Sequence, residues 1–240
     1  MTRALGNTIA AELVKLRGLP AVLATALGTV AAAVTLTAAV AASSTDETDA
    51  VRVTLLTIPF LQVGTILLGV LTAASEYQGS QVRTTLTATP NRPLLLAGKT
   101  LAYLAAAAIT SVAAVGAGRA AAATMLATRD PAPTGGVEGW ALVGAAGYLV
   151  LIGLLGFALT VLLRSLIPPL VTMLALVLIV SPLTAGYTEH ARWLPDRAGS
   201  LLYLPTADTV LTAETGALIL LAWITATGSA ASVIFARRDA

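Results

Sequence analysis

The sequence predicts an all-α polytopic membrane protein that crosses the bilayer six times, and three observations carry that prediction. First, 57% of the 240 residues are apolar and only 11% are charged, whereas a soluble domain carries about 25% charged residues. Second, the charges are clustered, leaving long uncharged runs at 18–45, 53–75, 100–118, 139–163, 165–188 and 215–236. A helix needs roughly 20 apolar residues to cross about 30 Å of hydrocarbon, and each run approaches or exceeds that length. Third, the connections alternate in sign. Those on the N-terminal side hold Arg3, Lys15, Arg17, Arg83, Arg92, Lys99, Arg164, Arg237 and Arg238 against Glu12, Glu76 and Asp239. Those on the other side hold only Arg52, Arg129, Arg192 and Arg197 against nine acidic residues. Short loops rich in Lys and Arg stay inside, so both termini are expected in the cytoplasm. The net charge of +2 then reports membrane topology and not nucleic-acid binding.

Ahead of the first run, Leu5, Ile9, Leu13 and Leu16 recur at spacings of four, four and three, which places them on one helical face. Arg3, Glu12, Lys15 and Arg17 are expected largely off that face. Residues 1–18 are therefore read as an interfacial helix, its apolar stripe in the acyl boundary. This segment is too long and too mixed for the n-region of a signal peptide, so no cleavable signal is expected. Span 1 covers about 20–42 and ends in the acidic loop SSTDETD. Span 2, about 53–75, holds Pro59, Gln62 and Gly64. A proline inside a span frees a carbonyl that must be satisfied within protein or at a water-filled cavity. Pro59 and Gln62 either line a path between protomers or serve helix packing alone.

The run from Glu76 to Lys99 is the distinctive connection. Gly79-Ser80 supplies a break and an N-cap hydroxyl, Gln81 to Thr89 make about two helical turns, and Pro90 ends them. Val82 and Leu86, four apart, share one face, with Arg83 turned elsewhere. Arg92 and Lys99 stand where span 3 enters the membrane.

Span 3 is placed at about 97–120, Ala-rich, with small residues at Ala114, Gly116 and Gly118 that allow close helix approach. Arg119 follows. An arginine at membrane depth is a functional candidate, although its place near the outer interface favours snorkelling to headgroups. Span 4, about 139–163, carries Gly144, Gly147, Gly153 and Gly156 for tight packing, and Arg164 ends it. Pro168-Pro169 opens span 5, about 167–186, where a missing N–H costs nothing; Pro182 is expected to bend its far end. Residues 187–214 form the largest outer connection, in which the apolar LLYL is too short to span. Span 6, about 215–236, stops at Arg237-Arg238.

Several chemistries are excluded. Gly98-Lys99-Thr100 is not a P-loop, because that motif needs a Gly where Pro93 stands. His190 is the sole histidine and there is no cysteine, so neither a histidine-based catalytic dyad inside the bilayer nor a metal site of several ligands is expected. No span carries a carboxylate at mid-depth, so no proton relay of the kind pumps use is expected. The chain is not expected to be an enzyme, and any transport must draw on energy supplied elsewhere.

The stretch 76–99 resembles the cytoplasmic loop of ABC-2-type ABC transporter permeases. In that family a Glu closes the second span, a Gly and a short coupling helix follow, then a Pro and an Arg, and a Lys opens the third span. The matching positions are Glu76, Gly79, Val82 to Thr89, Pro90, Arg92 and Lys99. The resemblance implies a single transmembrane domain over 1–240 with an N-terminal interfacial helix, a coupling loop at 76–99 bearing a cytoplasmic coupling helix between spans 2 and 3, and short re-entrant helices within 187–214. It implies ATPase-coupling roles for Glu76, Gly79, Ser80, Val82, Arg83, Leu86, Arg92 and Lys99, and leaves Pro59, Gln62 and Arg119 as candidates for the translocation path. It also implies a plasma (inner) membrane location, a separate ABC ATPase subunit that holds ATP and Mg, and a second permease copy in a homodimer or heterodimer. Membrane lipids are the remaining partner, and no nucleic acid is expected. The alternative is a non-transporting sensor or scaffold that binds a cytoplasmic partner through the same loop.

Overall fold

Apolar runs of this length have few ways to satisfy their backbone N–H and C=O groups away from water, and the helix is the one open to a single segment. The computed structural model describes residues 2–44, 49–75, 77, 92–127, 139–206 and 208–237, with 2–4, 92 and 235–237 as backbone only. Among them α1 is Thr2–Arg17, α2 Pro20–Ser43, α3 Ala50–Ala74, α4 Arg92–Leu126 and α5 Trp140–Leu163. Then come α6 over Ile167–Tyr187, a short α7 at Pro195–Ser200 and α8 over Ala213–Arg237. Among the described residues α2, α3, α4, α5, α6 and α8 are each long and apolar enough to cross a membrane. The chain is a multi-pass, all-helical membrane protein.

Two elements depart from the expected boundaries for identifiable reasons. The third span was placed at 97–120, but α4 has 35 residues and extends about 52 Å at the usual rise. Arg119 does not stop it, because the four alanines that follow are the strongest helix formers. At its other end Arg92 and Lys99, assigned to the coupling loop, belong to the first turns of α4. In α6 the departure from regular helix lies ahead of Pro182. Leu176–Val180 forms a π-helical turn, directly before the short α-helical stretch that begins at Ser181. Pro182 has no N–H to give the carbonyl four residues earlier, and a π-turn is one way a helix absorbs such a defect.

The bundle is centred on α3 and α5, which are the most buried spans and make the most extensive contact. Their backbones meet where both lack side chains. A Cβ on Gly69 would overlap the Gly153 carbonyl oxygen, and one on Gly153 would overlap the Thr65 carbonyl oxygen and the Tyr103 hydroxyl. Such close approach is what small residues permit in lipid, where packing and not water exclusion holds helices together. Ile58, Leu61, Ile66 and Val70 of α3 interlock with Leu149, Ile152 and Leu155 of α5. Many hydroxyls in the spans are satisfied locally, for example Thr72 to the Leu68 carbonyl and Thr160 to the Gly156 carbonyl, whereas the buried Ser111 Oγ of α4 has no hydrogen-bond partner. Leu27, Ile109, Val112, Val143 and Leu218 face outward and exposed, as lipid-facing residues do.

Candidate functional site

Apart from the Thr and Ser hydroxyls of the spans, the buried polar and charged side chains gather in two places, one at the end that carries α1 and one running from the middle of α3 toward the opposite end. At the end that carries α1, the helix packs along the opening turns of α4. Gly98 lets the two approach, since a Cβ there would press on the Thr8 side chain. One residue on, Lys99 Nζ lies 3.1 Å from Glu12 Oε2, and both side chains are over nine-tenths buried. Leu16 closes the contact in a cluster with Leu68, Ala73, Ala102 and Tyr103. The face of α1 that packs inward therefore includes Glu12, which the sequence reading had placed off the apolar stripe. Glu12 is three residues after Ile9 and four before Leu16, so helical geometry puts it on that face. Its charge argued otherwise until a cation was found opposite.

Midway along α3, Gln62 is buried and accepts a hydrogen bond from the Tyr148 hydroxyl. Its amide donates 2.8 Å to the Pro59 carbonyl. The Tyr148 ring lies 5.4 Å from that of Tyr203, on the segment after α7. This segment is wedged in tightly: Gly199 meets the Tyr148 ring, and Gly144 meets the Leu202 carbonyl. Asp196 and Ser181 are buried beside it, and Arg197 Nε donates 3.2 Å to Ser181 Oγ. Outside this plug, Arg192 pairs with Glu189 at 3.1 Å and approaches Asp208 at 3.9 Å. The Trp223 indole donates 3.0 Å to the Trp193 carbonyl.

The chain matches no family model and no curated protein sequence.

Of the residues singled out from sequence, Glu76, Gly79, Ser80, Val82, Arg83 and Leu86 lie outside the described residues, as does Pro90. Arg92 is described only as backbone, in the first turn of α4. Lys99 is the one member of the coupling set whose contacts are visible, and it faces α1. Gln62 and Pro59 meet through the hydrogen bond from the Gln62 amide to the Pro59 carbonyl, and no contact joins Arg119 to them among the described residues. Gln62 points into the bundle toward Tyr148, whereas Pro59 and Arg119 are exposed. Within 187–214, the short helix α7 packs against α5 and α8. The residues that sequence reasoning missed are Glu12, Tyr148, Asp196 and Gly69. For Glu12 and Gly69 a signal existed in the helical period and the glycine pattern. For Tyr148 none did, since its partner Gln62 lies 86 positions away, and for Asp196 none did because nothing in its local pattern marks a carboxylate as buried.

The two buried acids differ in what surrounds them. Glu12 has a lysine. Asp196 has an Oδ1 atom that is buried with no hydrogen-bond partner, and burial pushes its carboxyl above the ordinary value, opposed by the Ser181 hydroxyl, the backbone and Arg197. The folded protein thus holds this proton more tightly than the unfolded chain, so stability falls as pH rises from the ordinary carboxylate value through the folded one. Asp208 behaves oppositely: the Val210 and Leu211 amides lower it, and its effect falls in a window below the ordinary value. Thermal unfolding in detergent between about pH 4 and 7 is expected to show a decline in the wild type that Asp196→Asn flattens. Equal slopes for the two proteins would contradict this reading of the plug.

Proposed function

We propose that the chain is the membrane-spanning subunit of an ATP-driven exporter of the ABC-2 type, coupled through residues 76–99 to a separate ATPase. The observation that carries the reading is the buried Glu12–Lys99 pair. It fastens α1 to the helix that emerges directly from the 76–91 connection, so a push on either element moves the foot of α4 with it. The six-span order, the sidedness of Lys and Arg, and the Glu76, Gly79, Pro90, Arg92 and Lys99 pattern support the same assignment. On this reading both termini and the 76–91 connection face the cytoplasm of a cell membrane, α1 lies at the inner interface, and ATP with Mg binds on the partner. Two copies of the chain, or this chain and a homologous one, enclose the path, and ATPase closure shifts the rigid spans by a hinge or shear movement.

Val82 and Leu86 serve as the apolar anchors in the ATPase groove, with Arg83 as a polar contact. Buried anchors of this kind account for about 2 kcal/mol or more each. Val82→Asp and Leu86→Asp are expected to lose co-purification with the ATPase, or to leave ATP hydrolysis uncoupled from transport, while membrane insertion is retained. Wild-type assembly together with wild-type transport in both variants would refute the docking model. A chain that associates only with partners that do not hydrolyse ATP would favour the scaffold reading instead.

A further inference from the structure

Between α4, α5 and α8 lies a cleft of about 130 Å³ lined by Leu96, Thr100, Phe157, Ala158, Ile224 and Gly228, among other apolar residues. Its shape follows from α8. That helix seats against the bundle at Leu220 and again at Ala231, both buried, but between them a Cβ on Gly228 would meet nothing within 4 Å. The gap from Ile224 to Ala231 is about 10 Å long at the helical rise. It lies in the half of the bundle nearer α1, since Ala158 is five residues before the end of α5 and Ala231 six before the end of α8. That depth falls within the hydrocarbon of one leaflet, half of about 30 Å.

The chemistry of the lining narrows the occupant. Thr100 supplies the one hydroxyl named here, and it is already committed to the Leu96 carbonyl at 2.9 Å. Phe157 is held by stacking on Tyr103, 5.2 Å between ring centroids, so it forms a fixed apolar wall. A water molecule needs two to four polar partners, and the Thr100 hydroxyl oxygen, which can still accept, is only one. Left empty, the wall atoms would forgo their dispersion contacts, although the cleft is open to the surrounding chains of the bilayer. In sequence, Arg164 directly follows α5 and Arg237 ends α8, which places basic residues at the level of the phosphates on that side.

We propose that this cleft is a binding site for one acyl chain of a membrane phospholipid from the leaflet on the α1 side. The site stands apart from the exporter reading, because it needs neither an ATPase nor a cargo. The test uses the full chain in nanodiscs of phosphatidylglycerol and phosphatidylcholine that contain a phosphatidylcholine with a diazirine at mid-chain. After irradiation, adducts are expected to concentrate on Leu154–Val161 and Ile224–Ala231 over the openly exposed Ile109, Val112 and Leu218. Gly228→Leu fills the open space and is expected to remove most of the adduct there, with the unfolding midpoint unchanged or raised and labelling of Ile109 and Val112 retained. Gly228→Val serves as a smaller filler. Adducts spread evenly over all outward-facing residues in the wild type would overturn the proposal. So would a cleft protected from lipid but cross-linked to a second copy of the chain, or labelling that both fillers leave untouched.

Discussion

Lys99→Ala is expected to destabilise the protein by about 3–5 kcal/mol, because it leaves the Glu12 carboxylate buried without its counter-charge. Glu12→Ala removes the carboxylate that Lys99 contacts at 3.1 Å and should be destabilising as well. Neither effect measures the worth of the pair itself. Bringing two charges out of water is costly, and a buried pair replaced by apolar residues of similar size is often neutral or stabilising by about 1–4 kcal/mol. The informative variant is therefore the double substitution Glu12→Leu with Lys99→Met. Denaturant titration in detergent should show the two single variants strongly weakened and the double one recovered. If the pair also transmits movement between α1 and α4, the double variant will be stable yet defective in coupling to the ATPase. A double variant as unstable as the singles would mean that the ion pair itself, and not the stranded charge, carries the stability, and single variants as stable as the wild type would mean that α1 is held by something other than this contact.

The second large effect is expected at the crossing of α3 and α5. Gly153→Ala places a methyl group where the Thr65 carbonyl and the Tyr103 hydroxyl already stand, and overpacking of this kind costs about 1–3 kcal/mol or more. Backbone cannot yield as a flexible side chain does, so the upper part of that range is expected. Gly147→Ala, on the same helix, meets nothing within 4 Å and should fall within about 0.5 kcal/mol of wild type. The comparison removes helix propensity as an explanation, since both substitutions gain it equally. Unfolding midpoints that match for Gly153→Ala and Gly147→Ala would show that the two spans are not in contact as described.

Much of the architecture was legible without coordinates. Spans at 20–42, 139–163 and 167–186 lie within a residue or two of α2, α5 and α6, because charges, prolines and turn residues mark the borders of an apolar run. The third span was read short, since a charge at Arg119 resembled a border while the alanines beyond it carried the helix on. The α1 stripe was legible in its period, yet Glu12 was assigned to the wrong face because a charge was taken as a sign of exposure. Gly144 and Gly153 were read as packing sites and the structure uses them so; Gly147, chosen by the same rule, stands in open space. A glycine in a membrane helix announces that close approach is permitted and does not say where it happens.

What the sequence by itself determined is the number of crossings, their order and the sidedness of charge, since these depend on length and composition, which are local properties. Only the tertiary structure decided how each helix is rotated. In a soluble protein the apolar stripe names the inward face, but here lipid-facing and core-facing residues are equally apolar, so hydropathy carries no such signal. Rotation is set instead by contacts between distant residues: Glu12 with Lys99, Gly69 with Gly153, Gln62 with Tyr148. Each pair joins residues more than eighty positions apart, and no pattern within either segment names its partner.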